Sequence, residues 1–179
     1  MLFMYKPTDK VFFGKLRPEA KIPTKKDEDA GYDIYACFEQ DEVVIPPHTT
    51  VMIPTGLVSY FTSECVGVLK ERGSTGSIGI AQRCGIIDSG YRGEWFVPLT
   101  NTNDYKIIIS KNEKVVQGYT DGNNDKMTYL VYPYDKAICQ CIFVEVPRFD
   151  VVEVPAEEIM NIKSVRGQGK LGSSGKWRF

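Results

Sequence analysis

Backbone N–H groups bared by glycine can wrap phosphate oxygens, and two stretches of this sequence suit that task. Arg166-Gly167-Gln168-Gly169-Lys170-Leu171-Gly172-Ser173-Ser174-Gly175 combines an arginine, a lysine, two hydroxyls and four glycines. Arginine offers forked donors to phosphate, and hydroxyls and amides add neutral ones. It is not a Walker A loop. The GxxxxGK(S/T) spacing fails, Trp177 follows Lys176 where Ser or Thr is required, and no strand-to-helix context surrounds it. Glu71-Arg72-Gly73-Ser74-Thr75-Gly76-Ser77 is a second donor-rich loop, placed after an apolar strand. Two carboxylates stand out as well: Asp33 within the apolar run Ala30–Ala36, and Asp88 between Ile86-Ile87 and the turn Ser89-Gly90-Tyr91-Arg92-Gly93. An aspartate after Ile-Ile caps its own turn or acts as a general base held at a strand end. Spacing leaves both readings open.

The rest of the composition narrows the classes. Lys+Arg is 22 and Asp+Glu is 23, a net charge of −1, so attachment to nucleic acid through phosphate contacts is not expected. Hydrophobic residues at 42% allow a real core. No apolar run reaches the roughly 18 residues of a membrane span, and Met1 to Lys10 shows no signal-peptide core. No membrane association is expected. His48 is the one histidine, which excludes His-His zinc motifs such as HExxH. The five cysteines, an odd number, point to reduced thiols in cytoplasm. Cys139 and Cys141 fall on one face of a strand and read as core.

Positioning these residues falls to short strands. Runs of β-branched and aromatic residues predict strands at Val11–Phe13, Tyr32–Ala36, Val43–Ile45, Thr50–Ile53, Leu57–Tyr60, Val66–Leu69, Trp95–Leu99, Tyr105–Ile109, Met127–Tyr132, Ala137–Val146 and Val151–Val154. Turn residues such as Pro46-Pro47, Pro54-Thr55-Gly56 and Ser89-Gly90 separate them. One helix is predicted over Pro155–Asn161, opened by proline and favoured by Glu157 and Glu158. The class is an all-β barrel or sandwich. Residues 103–135 read as a β-hairpin arm with Asp121-Gly122-Asn123-Asn124 at its tip. Residues 1–162 form the predicted domain, and 163–179 a basic, glycine-rich C-terminal segment.

Taken together, the motifs resemble the trimeric, all-β dUTP diphosphatases (dUTPases) over about residues 15–176, as a phage or bacterial member. Five motifs occur in family order: Ala30–Ala36 for AGxDLxA, Glu71–Gly76 for PRSSxA, Gly85–Glu94 with Asn101 for GxIDxxYRGE, Asp135–Gln140 for GDRIAQ, and Arg166–Gly175 for RGxGGFGSTG. The resemblance implies a dUTPase-like barrel or jelly-roll domain, assembled as a cytoplasmic homotrimer (in a host's cytoplasm if phage-encoded). Each site would draw on more than one chain, with the C-terminal motif as its lid.

Within that site, Asp88 is the implied base, and Mg²⁺ the implied ion, reached by Asp33 through water. Arg72, Gly73, Ser74, Thr75, Gln140, Arg166, Gly169, Lys170, Leu171, Gly172, Ser173 and Ser174 are implied substrate contacts. Gln82, Gly85 and Ile87 belong to the stretch implied to meet the uracil edge, largely through backbone groups. Tyr91 is implied to pack on the deoxyribose and exclude a 2′-hydroxyl.

Departures from the family pattern are also clear. Gly73 stands where the family has serine, and Leu171 where a phenylalanine stacks on uracil, leaving Trp95 or Phe96 to supply stacking. The stretch from Asn101 to Gln140 is longer than the family's hairpin. Two alternatives accompany the dUTPase reading: a dCTP deaminase relative, and a scaffold whose insertion arm binds a protein partner. Against a deaminase, Pro98 occupies the position where that family places its proton-shuttling glutamate.

Overall fold

Stiff β-branched and aromatic side chains fit a pleated surface, and most of their runs here become strands. The computed structural model describes residues 10–83, 85–112, 119–120 and 127–167, with backbone alone at 119–120 and 127–128. The chain divides into two units, Met1–Val146 and Pro147–Phe179. That boundary precedes the break expected after residue 162.

In the first unit the strands are β1 Phe12–Lys15, β2 Tyr32–Ile34, β3 Glu42–Ile45, β4 Thr50–Pro54, β5 Leu57–Tyr60, β6 Cys65–Lys70, β7 Ile80–Gln82, β8 Ile86–Ile87, β9 Phe96–Asn101, β10 Lys106–Ser110, β11 Tyr119–Thr120, β12 Met127–Pro133 and β13 Cys139–Glu145. A single helical turn, α1 Gly73–Gly76, follows β6. The strands form four sheets, ordered β1-β5, β11-β12-β10-β3, β2-β13-β6-β8 and β4-β9-β7. Alternation decides which side chains enter the core. Along β9, Val97, Leu99 and Asn101 are buried while the residues between them face outward. Ile34, Ile45, Ile53, Leu69, Ile107 and Trp95 meet in one cluster fed by the larger sheets. Full burial of each aliphatic side chain there contributes about 1.5–3 kcal/mol. Cys139 and Cys141 are buried in the same core, as expected.

One buried polar residue ties the sheets together. Asn101 Nδ2 donates to the carbonyls of Ile45 (3.1 Å) and Tyr105 (2.6 Å), and its Oδ1 accepts the Asn103 N–H (3.0 Å). This locks the connection from β9 to β10. Just after β10, Lys111 Nζ donates to the carbonyls of Phe38 (2.7 Å) and Glu39 (3.1 Å) and lies over the Phe38 and Tyr134 rings.

Two expectations need correction, and one strand was not foreseen. The 103–135 stretch is more than the hairpin read from its sequence: β11 does pair antiparallel with β12, and β10 and β12 also pair in parallel, from Lys106↔Tyr129 to Ser110↔Pro133. Leu130, Val131 and Tyr132 are buried, so the second half of the stretch is core. The Asp121–Asn124 tip lies outside the described residues. Next, Val151–Val154 is not a strand; Val151 and Val152 are exposed and without ladder partners among the described residues. Finally, β7 is a three-residue strand that no run of strand-forming residues marked.

The second unit contains α2 Ala156–Met160, with Pro155 at its start and Glu157 and Glu158 in its first turn. Beyond it, the Gly167 N–H donates to Ser164 Oγ at 2.8 Å. No helix among the described residues is long and apolar enough to cross a membrane.

Candidate active site

Strand register gathers three of the sequence motifs at one end of the β2-β13-β6 sheet. Asp33 and Gln140 are direct cross-strand partners, and Gln140 also faces Lys70 on β6. Arg72 lies two residues past Lys70 and therefore on the same side. Its guanidinium grips Asp33 with a fork, Nε to Oδ1 at 2.9 Å and Nη2 to Oδ2 at 3.4 Å. Nη1 donates to Ser74 Oγ (3.2 Å) and to the Ala137 carbonyl (3.3 Å). That same carbonyl accepts the Tyr132 hydroxyl at 2.6 Å. Gln140 Nε2 donates to the Glu71 carbonyl at 2.8 Å, holding the start of the loop. Gly31 is required by this packing, since a Cβ there would lie 2.5 Å from Gln140 Oε1.

Arginine has five N–H donors. Four are committed, and one Nη2 hydrogen is left over among the described residues. Both Asp33 and Arg72 are about a third exposed, so a ligand can reach them. Burial pushes the Tyr132 phenol above its ordinary value, and the neighbouring Arg72 charge pulls against that shift. A cationic fork, an exposed serine and a glutamine on rigid strand ends suit a polyphosphate chain.

Asp88 sits elsewhere. Strand β8 is a sheet edge, antiparallel to β6 with Gly67↔Ile87 and Val68↔Ile86. Asp88 thus falls level with Val66, about six residues from Arg72 and roughly 20 Å along the strand direction. The Tyr91 N–H donates to the Asp88 carbonyl at 3.0 Å, closing a turn. Arg92 Nη1 holds that turn by donating to the carbonyls of Ser89 (2.6 Å) and Tyr91 (3.0 Å), and its guanidinium stacks on the Tyr60 ring. Tyr91 lies over Gly93, where any Cβ would run into its ring, and its hydroxyl donates to the Glu94 carbonyl at 3.0 Å. Glu94 accepts from Arg17 (2.6 Å) and from the Gly56 N–H (2.8 Å), and this bond raises Arg17 above its ordinary value. Glu94 is therefore a brace for the Tyr91 turn.

Several expected site residues turn out to have other work. Thr75 is buried and its hydroxyl is used on Arg72, donating to the carbonyl (3.0 Å) and accepting the N–H (3.2 Å). It shapes the loop rather than facing a ligand. The Ile87 side chain belongs to the core, and Gln82 is buried on β7. The Gly85 carbonyl accepts the Leu69 N–H at 3.0 Å. Trp95 cannot stack on a base, because it is fully buried with Nε1 donating to Ser59 Oγ at 3.1 Å. Phe96, 37% exposed at the start of β9, is still available. Gly73 and Ser74 are exposed, and Gly73 has open space where a side chain would go. Arg166 belongs to the second unit. Gly169, Lys170, Leu171, Gly172, Ser173 and Ser174 lie outside the described residues. Sequence reading missed Tyr132, Arg92 and the Ala137 carbonyl.

The all-β chain thus carries a donor-rich cluster at one end of the β2-β13-β6-β8 sheet and an aspartate-tyrosine turn after that sheet's edge strand, a frame that the comparisons assign to a class of nucleotide hydrolases. The dUTPase family model matches residues 18–117. The deoxyuridine 5′-triphosphate nucleotidohydrolase of Leptospira interrogans is 36% identical over 112 residues, covering 60% of this chain and 77% of the relative. Two solved structures share the fold. The dUTPase of Staphylococcus bacteriophage 80alpha with dUPNHPP has a TM-score of 0.71 at 22% identity, over 94% of this chain and 99% of that one. The dUTPase of phage phi11 of S. aureus, described with a structural Mg(II) ion, gives 0.63 at 23% identity, over 84% and 99%. The chain belongs to the dUTPase family.

Proposed function

We propose that this chain hydrolyses dUTP to dUMP and pyrophosphate, with Asp88 as general base and the Arg72 cluster as the triphosphate cradle. The meeting of Asp33, Arg72, Ser74 and Gln140, drawn from three separate motifs, carries the reading. Asp88 orients a water and takes its proton as the oxygen attacks the α-phosphorus in line, and pyrophosphate leaves from the opposite side. Arg72, Ser74 and Gln140 meet the developing negative charge with charged and neutral donors. Tyr91, propped on Gly93, closes against the sugar face, and the backbone of edge strand β8 meets the uracil edge. The segment from Arg166 to Ser174 supplies further phosphate donors as a lid.

The donor set fits Mg²⁺ held mainly by phosphate oxygens and water. Among the described residues no cluster of three or more His, Cys, Asp or Glu could hold a metal, which does not suggest an all-protein cage. Asp33 retains lone pairs beyond the two that Arg72 uses, enough to accept from a metal-bound water. When bound, the ion neutralises triphosphate charge. The wide separation of Asp88 and Arg72 along β6 favours a site shared between chains of a homotrimer. Cys37, Cys65, Cys139 and Cys141 are present as thiols rather than disulfides, which favours a reducing compartment such as cytoplasm.

The test is pyrophosphate release from dUTP, dCTP, dTTP and UTP with Mg²⁺, alongside ammonia release from dCTP. Fast turnover of dUTP alone supports the reading. Ammonia from dCTP, or equal turnover of all four, overturns it.

A further inference from the structure

We infer that Tyr132 is a positioning residue for the Arg72 guanidinium, delivered by strand β12. This rests on the dUTP reading of the Arg72 cluster. Tyr132 sits on β12, Met127–Pro133, in register with Ile109 of β10. Its ring is core, and leucine or phenylalanine would fill that space. Its hydroxyl does something a core residue need not do. It donates at 2.6 Å to the Ala137 carbonyl, the oxygen that also accepts Arg72 Nη1 at 3.3 Å.

A carbonyl oxygen has two lone pairs, and here the short phenol bond takes one and the long guanidinium bond the other. Tyr132 thereby satisfies Ala137 and leaves Arg72 loosely tethered on that side. Without the phenol, Ala137 O has Arg72 as its one donor. The guanidinium is then drawn inward, away from the open side where a phosphate would sit. The strand built by the long 103–135 stretch is in this way wired to the triphosphate end of the site.

The experiment uses the full chain and Tyr132→Phe, which keeps the ring and removes only the hydroxyl. The readouts are dUTP kinetics, the affinity of the dUTP analogue with an imido α,β-bridge, and inhibition by deoxyuridine, which has no phosphate. The variant should raise KM for dUTP and the analogue's Kd by about 3–10-fold, the range of one lost hydrogen bond. Deoxyuridine inhibition should stay within about twofold, the scatter expected where no bond to that ligand is lost, while kcat falls as well because Arg72 also meets charge that develops in the transition state. In an Arg72→Lys background the same change should add nothing, because the fork it positions is gone.

Equal weakening of deoxyuridine and the analogue would overturn the inference. So would no weakening, an undiminished effect in the Arg72→Lys background, or loss of the folded state by circular dichroism. An unmutated chain that fails to cleave dUTP would instead remove the substrate assignment, which the first assay reads before any variant is compared.

Discussion

Asp88 is exposed at the end of an edge strand, so exchanging its carboxylate for an amide alters charge without disturbing packing. Asp88→Asn should keep its affinity for the imido analogue while kcat falls by about 10²–10⁴; normal turnover would remove Asp88 from the chemistry. Gly93 gives a second, independent handle. In Gly93→Ala the obstacle is the end of the Tyr91 side chain rather than backbone, so the protein should fold and Tyr91 should move. The ratio of kcat/KM for dUTP over UTP should then fall about tenfold or more, the scale of losing one well-placed contact. An unchanged ratio would mean that Tyr91 does not read the sugar. Cys141 carries a different kind of prediction. Burial pushes its thiol up to about 12 from an ordinary 9.0. Below pH 9 both folded and unfolded chains keep the proton, and the group adds no pH dependence. Between 9 and 12 the unfolded chain binds fewer protons, so stability falls by up to about 1.4 kcal/mol per pH unit. Unfolding midpoints measured across that window should drop, and drop less in Cys141→Ala.

At the scale of elements, β10 and β12 run side by side in the same direction. A chain leaving Ser110 must travel back roughly 20 Å to begin β12 at Met127. Replacing residues 112–126 with a two-residue turn, reasonable for a hairpin, should therefore abolish folding. A flexible ten-residue replacement spans up to about 33 Å and should keep a native circular-dichroism spectrum. The difference marks what could be read without coordinates. Turn residues and alternation made the antiparallel pairing of β11 with β12 legible, but nothing in them shows that β10 lies in parallel along the other side of β12. Asp33, Arg72, Ser74 and Gln140 were legible because motif order survives in a single chain. Tyr132 was not, since its side chain follows ordinary core periodicity and only the third dimension brings its hydroxyl to Ala137. Trp95 misled for the converse reason: adjacency to the Tyr-Arg-Gly-Glu run says nothing about which face of β9 it enters.

For the whole molecule, one fact dominates: Asp88 and Arg72 lie at opposite ends of β6. If each site takes its base from one chain and its arginine from another, two dead variants should rescue each other. Asp88→Asn and Arg72→Ala, each inactive, should regain about a quarter of full activity after random subunit exchange at equal amounts, because a quarter of the pairings across a ring interface combine both intact residues. No recovery would place both residues in one chain's site. The anchorage of Lys111 bears on this molecule's history rather than its chemistry. Its ammonium is held by two carbonyls and two aromatic rings where the long stretch departs, and the Tyr134 N–H meets the Ser110 carbonyl at 2.9 Å where β12 ends. Those two anchors fix the chain where it leaves β10 and where β12 ends. A lineage that lengthens the connection between them can do so without disturbing either anchor.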